Sequence, residues 1–314
     1  MTENDGRWER DVLEKLAMEA LKEQRRSRRW GIFFKLLLFA YIRVAVLLAI
    51  DWKSPPGGKD GRHTALVELN GIIAPGSDSS SEKVITALNA AFKDKGTQGV
   101  VLRINSPGGS PVQSQSIYDE MRRLRQKYPK IPLFAVVEDM CASGGYYVAV
   151  GADRIFVSKS SIVGSIGVRL DSFGVTGLME KIGVERRLLT SGENKAMLDP
   201  FLPEDEKQKE HMRTLITEVH QQFIGAVREG RGKRLKENPD LFTGLIWTGA
   251  KSIELGLTDA IGSLDFVARE IIKAEDVVDF TQKDNIAEKF ARRFGAGVAS
   301  VVLEIALRSA PSLR

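Results

Sequence analysis

The chain has 314 residues, of which 43% are hydrophobic, with 46 basic and 41 acidic side chains and a formal net charge of +5 at pH 7. This length accommodates one large domain or two modest ones with a substantial core. The net charge is small beside the number of charged residues, so no nucleic-acid partner is predicted. The single cysteine excludes an intrachain disulfide.

Residues 1–29 form a charged arm that ends in a basic cluster. The 21 residues that follow, 30–50, are mainly apolar and would rise about 31 Å as a helix, close to the ~30 Å hydrocarbon thickness of a bilayer. Lys35 can reach the interface, whereas Arg43 costs up to roughly 2.5–3.5 kcal/mol near the middle. Because the apolar residues more than offset this cost, residues 30–50 are predicted to be a transmembrane anchor. An interfacial helix and a buried core helix are the alternatives.

The flanks of this apolar segment predict its orientation. Basic residues are denser before it than after it, so the positive-inside rule places the arm in the cytoplasm and the rest of the chain outside the cytoplasm. No Ala-x-Ala site follows the segment, which favours an uncleaved single-pass anchor. Residues 51–63 are rich in Pro and Gly and are predicted to be a linker.

From residue 64 onward short apolar runs alternate with amphipathic stretches, which predicts an α/β domain over 64–278. The predicted strands are 65–69, 99–104, 132–137, 154–158 and 186–189. The predicted helices are 81–93, 113–127, 144–152, 204–229 and 249–257. A basic amphipathic helix is expected in the tail, 279–314.

Two glycine-bearing turns each follow a predicted strand, one with Gly108 and Gly109 and the other with Ser143 and Gly144. Such strand-end turns of α/β sheets are where ligands and catalytic groups collect. Glycine lets a substrate approach the backbone, so amides of these turns can face a developing oxyanion. The spacing alone leaves two interpretations open: a nucleophile site, or ordinary turns in which Ser143 caps the following helix.

A histidine, the usual partner of a nucleophilic serine, is absent from the sequence around Ser143. Lysine is the other side chain that can act as the base, and Lys195 is the candidate, with Lys159 and Lys181 as rivals. A lysine with its ordinary pKa of about 10.4 is almost wholly charged at pH 7. The base must therefore be desolvated, and lowering the pKa by about three corresponds to roughly 4 kcal/mol.

The remaining reactive side chains have simpler interpretations. Cys141 is expected to be a small packing residue. His211 and His220 lie on the predicted helix 204–229 without carboxylates or cysteines at metal-ligand spacing, so they are expected at the surface. No metal site and no cofactor are predicted.

Four segments taken together, 105–110, 141–147, 164–168 and 191–195, resemble the bacterial signal peptide peptidase A family in its short, single-unit form. The resemblance extends over roughly 64–275. It implies a serine peptidase with the crotonase/Clp-protease type of α/β fold, made of repeated β-β-α units and preceded by one transmembrane helix. It also implies that the substrates are hydrophobic peptides such as the remnants of cleaved signal peptides.

The resemblance assigns roles to five residues. Ser143 matches the nucleophile and Lys195 the general base. Gly109 and Gly144 match the amides of the oxyanion hole, and Ser165 matches a serine that holds the lysine ammonium. Related Clp-type proteases have a histidine downstream of the serine where this chain has Gly-Ser-Ile-Gly-Val-Arg-Leu. This departure favours a Ser/Lys pair.

The family also has double-length members with two such units, whereas this chain carries one, so the resemblance implies a homo-oligomer, an octamer-like ring or dome. Within this oligomer, the Ser143 and Lys195 of one active site could belong to the same chain or to two neighbouring chains. Two other functions stay open: an acyl-CoA hydratase or isomerase on the same fold, and a catalytically inert membrane scaffold. The glycine turns lack the glutamates that a hydratase needs, and the intact Ser143, Gly109 and Lys195 argue against a scaffold.

Overall fold

The structure is a computed structural model that describes residues 18, 22–26, 28–43, 61–236 and 238–282. The chain divides into two units: residues 55–283 form one, and residues 1–54 together with 284–314 form the other. Most of the predicted arm, residues 51–60 of the predicted linker and the predicted basic helix of the tail lie outside the described residues.

In the N-terminal unit, residues 28–43 are helical and exposed. Three aromatic side chains at the start of this helix, Trp30, Phe33 and Phe34, lie with ring centroids 5.7–5.8 Å apart. Within the described ranges, no helix combines the length and the apolar character needed to cross a membrane. Residues 44–50, which complete the predicted anchor, lie outside those ranges.

The larger unit contains a sheet of eight strands in its described part. The strands are β1 His63–Ile73, β2 Thr97–Gly109, β3 Leu133–Ala142, β4 Arg154–Val157, β5 Ile162–Gly164, β6 Ile246–Thr248, β7 Ala260–Ile261 and β8 Val277–Asp279. The helices are α1 Ser81–Lys93, α2 Pro111–Lys127, α3 Gly144–Ala149, α4 Thr176–Lys181, α5 Glu206–Arg231, α6 Gly249–Glu254 and α7 Leu264–Phe266. A 3₁₀ turn, Gly232–Arg234, follows α5, and a π-helical turn, Val267–Ile272, continues α7.

The strand order is β6-β5-β3-β2-β1-β8, with β4 pairing with β3 and β7 pairing with β4. Pairing is parallel except between β5 and β6. Strand β3 changes partner along its length, because residues 134–136 pair with β4 whereas residues 140–142 pair with β5. The end of β3, which leads into Ser143, therefore lies beside β5.

Apolar side chains cover both faces of the central strands. Successive side chains of a strand point to opposite faces, and in β2 Val100 and Leu102 belong to the larger core cluster whereas Val101 belongs to the smaller one. The continuous apolar runs of β1, β2 and β3 are what a parallel sheet buried on both faces requires. The burial holds the strand ends, and with them the turns that follow, in fixed positions.

The predicted helix 81–93 is confirmed, and β2 and β3 are longer than predicted. The predicted strand 186–189 is wrong, because these residues are exposed and have no regular structure. A short β-prone run forms a strand only where a neighbour satisfies its backbone groups. Arg186 instead donates a hydrogen bond to Asp199 over 2.9 Å and lies 5.6 Å from the ring centroid of Phe201.

Candidate active site

Ser143 joins β3 to α3 in a backbone conformation that few residues adopt. Its φ of 51° and ψ of −125° are neither helical nor extended, and such a conformation costs about 1–3 kcal/mol for a residue with a side chain. Ser143 stands at the N-cap of α3, yet its side chain makes no capping hydrogen bond. The interpretation of Ser143 as a helix-capping serine is therefore not supported, since its Oγ is not engaged in the cap.

Backbone hydrogen bonds on both sides hold this strained turn. The Ser143 N–H donates to the Gly164 carbonyl at the end of β5, over 2.8 Å, and the Ser143 carbonyl accepts from the Tyr147 N–H over 2.9 Å. Ser143 is half-buried. The sheet therefore fixes the serine from β5, and helix α3 fixes it from the other side.

The Gly108-Gly109 turn at the end of β2 touches the serine turn. Both glycines have positive φ, 101° and 153°. A Cβ on Gly108 would lie 2.6 Å from the Gly144 nitrogen, and one on Gly109 would lie 2.1 Å from the Ile73 carbonyl oxygen. Only glycine fits at either position. The buried Ser106 supports the turn, because its Oγ accepts a hydrogen bond from the Gly108 N–H over 3.1 Å.

The amides of Gly109 and Gly144 are neighbours. A Cβ on Gly144 would lie 3.2 Å from the Gly109 nitrogen and 2.5 Å from the Ser114 Oγ. Gly144 is the first residue of α3, where the N–H has no partner within the helix. Two adjacent amides beside a serine are the arrangement that stabilises the oxyanion of an acyl-transfer reaction.

A cavity of about 30 Å³ adjoins Ser143. Its lining includes Ser143, Gly109 and Gly144, so the structure brings three of the five predicted site residues to one place. Its described lining contains no acidic or basic side chain. A hydratase would need carboxylates at this position, so the cavity disfavours that alternative.

The other two predicted site residues are placed differently. Ser165 directly follows Gly164, whose carbonyl binds the Ser143 N–H, and the Ser165 N–H donates to the Leu245 carbonyl over 2.7 Å. Lys195 is exposed, lies in a turn in which its N–H donates to the Gly192 carbonyl over 3.1 Å, and does not line the cavity.

Other reactive side chains near the site have structural roles. Cys141, two residues before Ser143, is fully buried, and this burial raises the pKa of its thiol far above the usual range, so it is a packing residue, as predicted. His220 is half-buried and its Nε2 lies 3.1 Å from the Ile166 carbonyl oxygen. The expectation that His220 is a plain surface histidine is therefore wrong, because its ring packs against the segment that follows β5.

The sequence did not identify the residues that line the rest of the cavity. Tyr147 of α3 and Val219 and Phe223 of α5 contribute to it. The available signal was the apolar spacing of Val219, Phe223 and Val227, which places them on one face of a helix. That spacing shows a buried face but not which part of the molecule the face meets.

Comparison with known proteins matches residues 125–278 to the model of peptidase family S49 and residues 67–163 to that of Clp protease. Over 204 residues the chain is 47% identical to a protein of Brucella melitensis named Na(+)/H(+) antiporter NhaA, with 63% of this chain and 28% of that protein covered. This chain thus spans under a third of that relative's length.

Two other relatives match over more of their own length. The chain is 29% identical over 232 residues to a putative signal peptide peptidase SppA of Enterococcus faecium, which covers 71% of this chain and 67% of that protein. It is 34% identical over 202 residues to a putative protease of Synechocystis sp., which covers 63% of this chain and 69% of that protein. Both relatives carry protease names, as the family models do.

Proposed function

Because the chain belongs to peptidase family S49 and is a serine peptidase, we propose that Ser143 is its nucleophile and Lys195 its general base. The main support for this proposal is that Ser143, which has a positive φ, lies beside the adjacent amides of Gly109 and Gly144. Its substrates are hydrophobic peptides, such as the remnants of cleaved signal peptides. The name of the Enterococcus relative supports this substrate class.

The reaction proceeds through an acyl-enzyme. The neutral amine of Lys195 takes the proton of the Ser143 hydroxyl as Oγ attacks the carbonyl carbon of the scissile peptide bond. The amides of Gly109 and Gly144 donate hydrogen bonds to the resulting oxyanion. The Lys195 ammonium, held by the Ser165 hydroxyl, then protonates the leaving amine, and water hydrolyses the ester to release the acyl product and restore the serine.

We infer that Lys195 acts on the serine of a neighbouring copy within a homo-oligomeric ring. A lysine serves as a base at neutral pH only when it is desolvated, whereas Lys195 is exposed in the single chain and does not line the cavity. The segment that carries it also exposes large apolar side chains, among them Phe173, Ile182 and Leu189. A second copy that covers this segment would bury these side chains and desolvate the amine.

We also propose that residues 30–50 anchor the chain in the membrane, with the arm in the cytoplasm and the peptidase domain outside. The described part of this segment is helical and exposes large apolar side chains such as Phe39 and Tyr41, at 75% and 72%. The cluster of Trp30, Phe33 and Phe34 suits the membrane–water interface, where aromatic rings are enriched. Resistance of the full chain to alkaline extraction from membranes tests this anchor, and release into the wash would refute it.

The dyad is tested on the detergent-solubilised full chain. A fluorophosphonate probe should label the parent and not Ser143→Ala, and Lys195→Ala should lose peptide turnover while it keeps the parental unfolding temperature. Lys181→Ala is the matched control, since it removes an exposed rival lysine and should keep full activity. Retained turnover in Lys195→Ala would refute the assignment of the base.

The two-chain dyad is tested by subunit mixing. Equal amounts of Ser143→Ala and Lys195→Ala chains, dissociated and reassembled together, should recover roughly a quarter of the parental activity. This is the fraction of head-to-tail interfaces that join an intact serine to an intact lysine. Activity that stays at zero at every mixing ratio would place both residues of the dyad in one chain.

A further inference from the structure

Ser106 is a fully buried serine near the end of β2, two residues before the Gly108-Gly109 turn begins. The pairing of β2 is irregular here on both sides. Its register shifts against β1 between Asn70 and Ile72, and it shifts against β3 just before Ser106. Residues at such irregularities are left unpaired in the ladder, so the backbone groups nearby need other partners.

The Ser106 hydroxyl is the partner of two of these backbone groups. Its Oγ donates a hydrogen bond to the Gly71 carbonyl, in the irregular part of β1, over 2.6 Å. The same Oγ accepts a hydrogen bond from the Gly108 N–H over 3.1 Å. Because Gly108 is itself buried, loss of this acceptor would leave its N–H unsatisfied. One side chain thus ties the glycine turn to the neighbouring strand.

Ser106 also packs against the turn that carries Ser143. A Cβ on Gly145, two residues after Ser143, would lie 3.1 Å from the Ser106 carbonyl oxygen and 3.3 Å from the Ser106 Cβ. In the sheet, Ser106 pairs with Cys141 of β3, two residues before Ser143. Ser106 therefore lies between the two turns that supply the amides of the proposed oxyanion hole.

The Gly109 amide is held between two anchors. Upstream, the Gly108 N–H is bonded to the Ser106 hydroxyl. Downstream, the Ser110 N–H donates to the Ile73 carbonyl over 2.8 Å. Only φ and ψ separate one rigid peptide plane from the next, and glycine restricts these two angles least. Without the upstream anchor, the peptide plane that carries the Gly109 N–H is free to rotate away from the oxyanion.

We propose that Ser106 is a positioning residue of the reaction, whose hydroxyl fixes the direction of the Gly109 N–H in the oxyanion hole by holding Gly108. The inference rests on the proposed function, since it requires an oxyanion at these amides. Ser106 does not line the cavity beside Ser143, so it acts through the backbone. Because the oxyanion forms only during the reaction, the hydroxyl is needed for turnover and not for peptide binding.

Ser106→Ala in the detergent-solubilised full chain tests this role. Misplacement by about 1 Å can cost about 10²-fold in rate, so kcat should fall by up to about 10²-fold, while KM keeps its parental value. A hydrophobic peptide aldehyde adds to Ser143 and places its oxygen at the two amides, so its affinity should fall by the same factor. The alcohol of the same peptide forms no adduct, and its affinity should stay unchanged. Parental kcat in a folded Ser106→Ala, or a lower kcat with unchanged aldehyde affinity, would overturn the proposal.

A matched control and a rescue separate positioning from stability. Ser252 of α6 is equally buried, and its hydroxyl also has two partners. These are the Gly249 carbonyl and the Thr258 hydroxyl, each 2.7 Å away. Ser252→Ala should lower the unfolding temperature as Ser106→Ala does and leave kcat unchanged, whereas Ser106→Thr keeps the hydroxyl and should recover most of kcat. An equal loss of kcat in Ser252→Ala, or a folded Ser106→Thr no more active than Ser106→Ala, would refute the positioning role.

The readouts separate failure of this role from failure of the proposed function. If Ser106→Ala does not fold, Ser106→Cys under reducing conditions carries the test, since the thiol keeps the shape of the side chain but is a weak hydrogen-bond partner. It should show the same losses of kcat and aldehyde affinity, and parental values would overturn the proposal. If a fluorophosphonate labels Ser143 while kcat stays parental in the Ser106 variants, the positioning role alone is wrong. If Ser143→Ala still cleaves peptides, the proposed function is wrong and the positioning role falls with it.

Discussion

Replacing Gly144 by alanine would place a methyl group in the space shared by the two amides. The added carbon would lie 3.2 Å from the Gly109 nitrogen. An oxyanion must sit about 2.7–3.1 Å from each donor, so the methyl group competes with it for nearly the same position. Removal of one oxyanion donor typically lowers kcat about 10²- to 10³-fold, or roughly 2.7–4 kcal/mol, and a loss of this size is expected for Gly144→Ala.

The fold should tolerate the same change. Gly144 is not among the positive-φ residues and lies in the first turn of α3, where alanine is acceptable. The tightest contact of the new methyl group, 2.5 Å, is with the Ser114 Oγ, which can rotate away. Rotation gives up the hydrogen bond from this hydroxyl to the Ser110 carbonyl, at about 0.5–1.5 kcal/mol. The unfolding temperature should therefore fall by only a few degrees, roughly 2–4 °C per kcal/mol.

The assay is kcat/KM on a peptide substrate together with thermal unfolding of each variant. Gly225→Ala is the matched control, because Gly225 lies in α5 with nothing within 4 Å of a Cβ. It should keep full activity and gain about 0.5–1 kcal/mol of stability. Adding Ser114→Ala to Gly144→Ala removes the clash with the hydroxyl and should not restore activity. A folded Gly144→Ala that stays within tenfold of the parental kcat/KM would refute the assignment of the oxyanion hole.

Buried groups away from the cavity give three further predictions. Burial raises the pKa of Asp259, but the hydrogen bonds and charge of Arg231 outweigh it and hold that pKa below its usual range. The pair therefore stabilises the fold above about pH 3.9 and loses this effect as the pH falls through the lowered pKa. Asp259→Asn should cost roughly 3–5 kcal/mol of unfolding free energy at pH 7, and a deficit that persists undiminished in strong acid would contradict this. Tyr146→Phe removes the donor to the Leu257 carbonyl, over 2.7 Å, and should cost about 1–3 kcal/mol in urea unfolding; an unchanged midpoint would argue against that bond. Because burial raises the pKa of the Cys141 thiol, an aromatic disulfide reagent should react with Cys141 only on unfolding, and rapid reaction of the native protein would show that the thiol is accessible.

The sequence predicts the parts of the fold that depend on local pattern. Helix α1 begins and ends where its apolar period indicates, and the central strands follow from continuous apolar runs. The pairing of the Gly108-Gly109 turn with the Ser143 turn could be anticipated as well, because parallel neighbouring strands end at the same edge of a sheet. These features share one cause, since each depends on side chains that are close together in sequence or on adjacent strands.

The parts that the sequence does not predict depend on distant partners. Phe223 reaches the cavity only because α5 crosses back over α3, and no local pattern specifies that contact. The run 186–189 has suitable residues for a strand but no neighbouring strand to pair with. The short strands β5 and β6 exist because β5 pairs with β3 and β6 pairs with β5, not because of their own composition.

The two turns of the site extend from β2 and β3, which are interior strands of the sheet. Backbone amides of such strands exchange their hydrogens with solvent mainly through global opening, whereas exposed loops open at almost no cost. The serine and its two amides should consequently persist until the whole domain melts. Lys195 lies in an exposed turn, outside this protected region. Activity lost on mild warming, before the main unfolding transition, would thus report on the segment around Lys195, while the amides of the serine turn stay protected from hydrogen exchange.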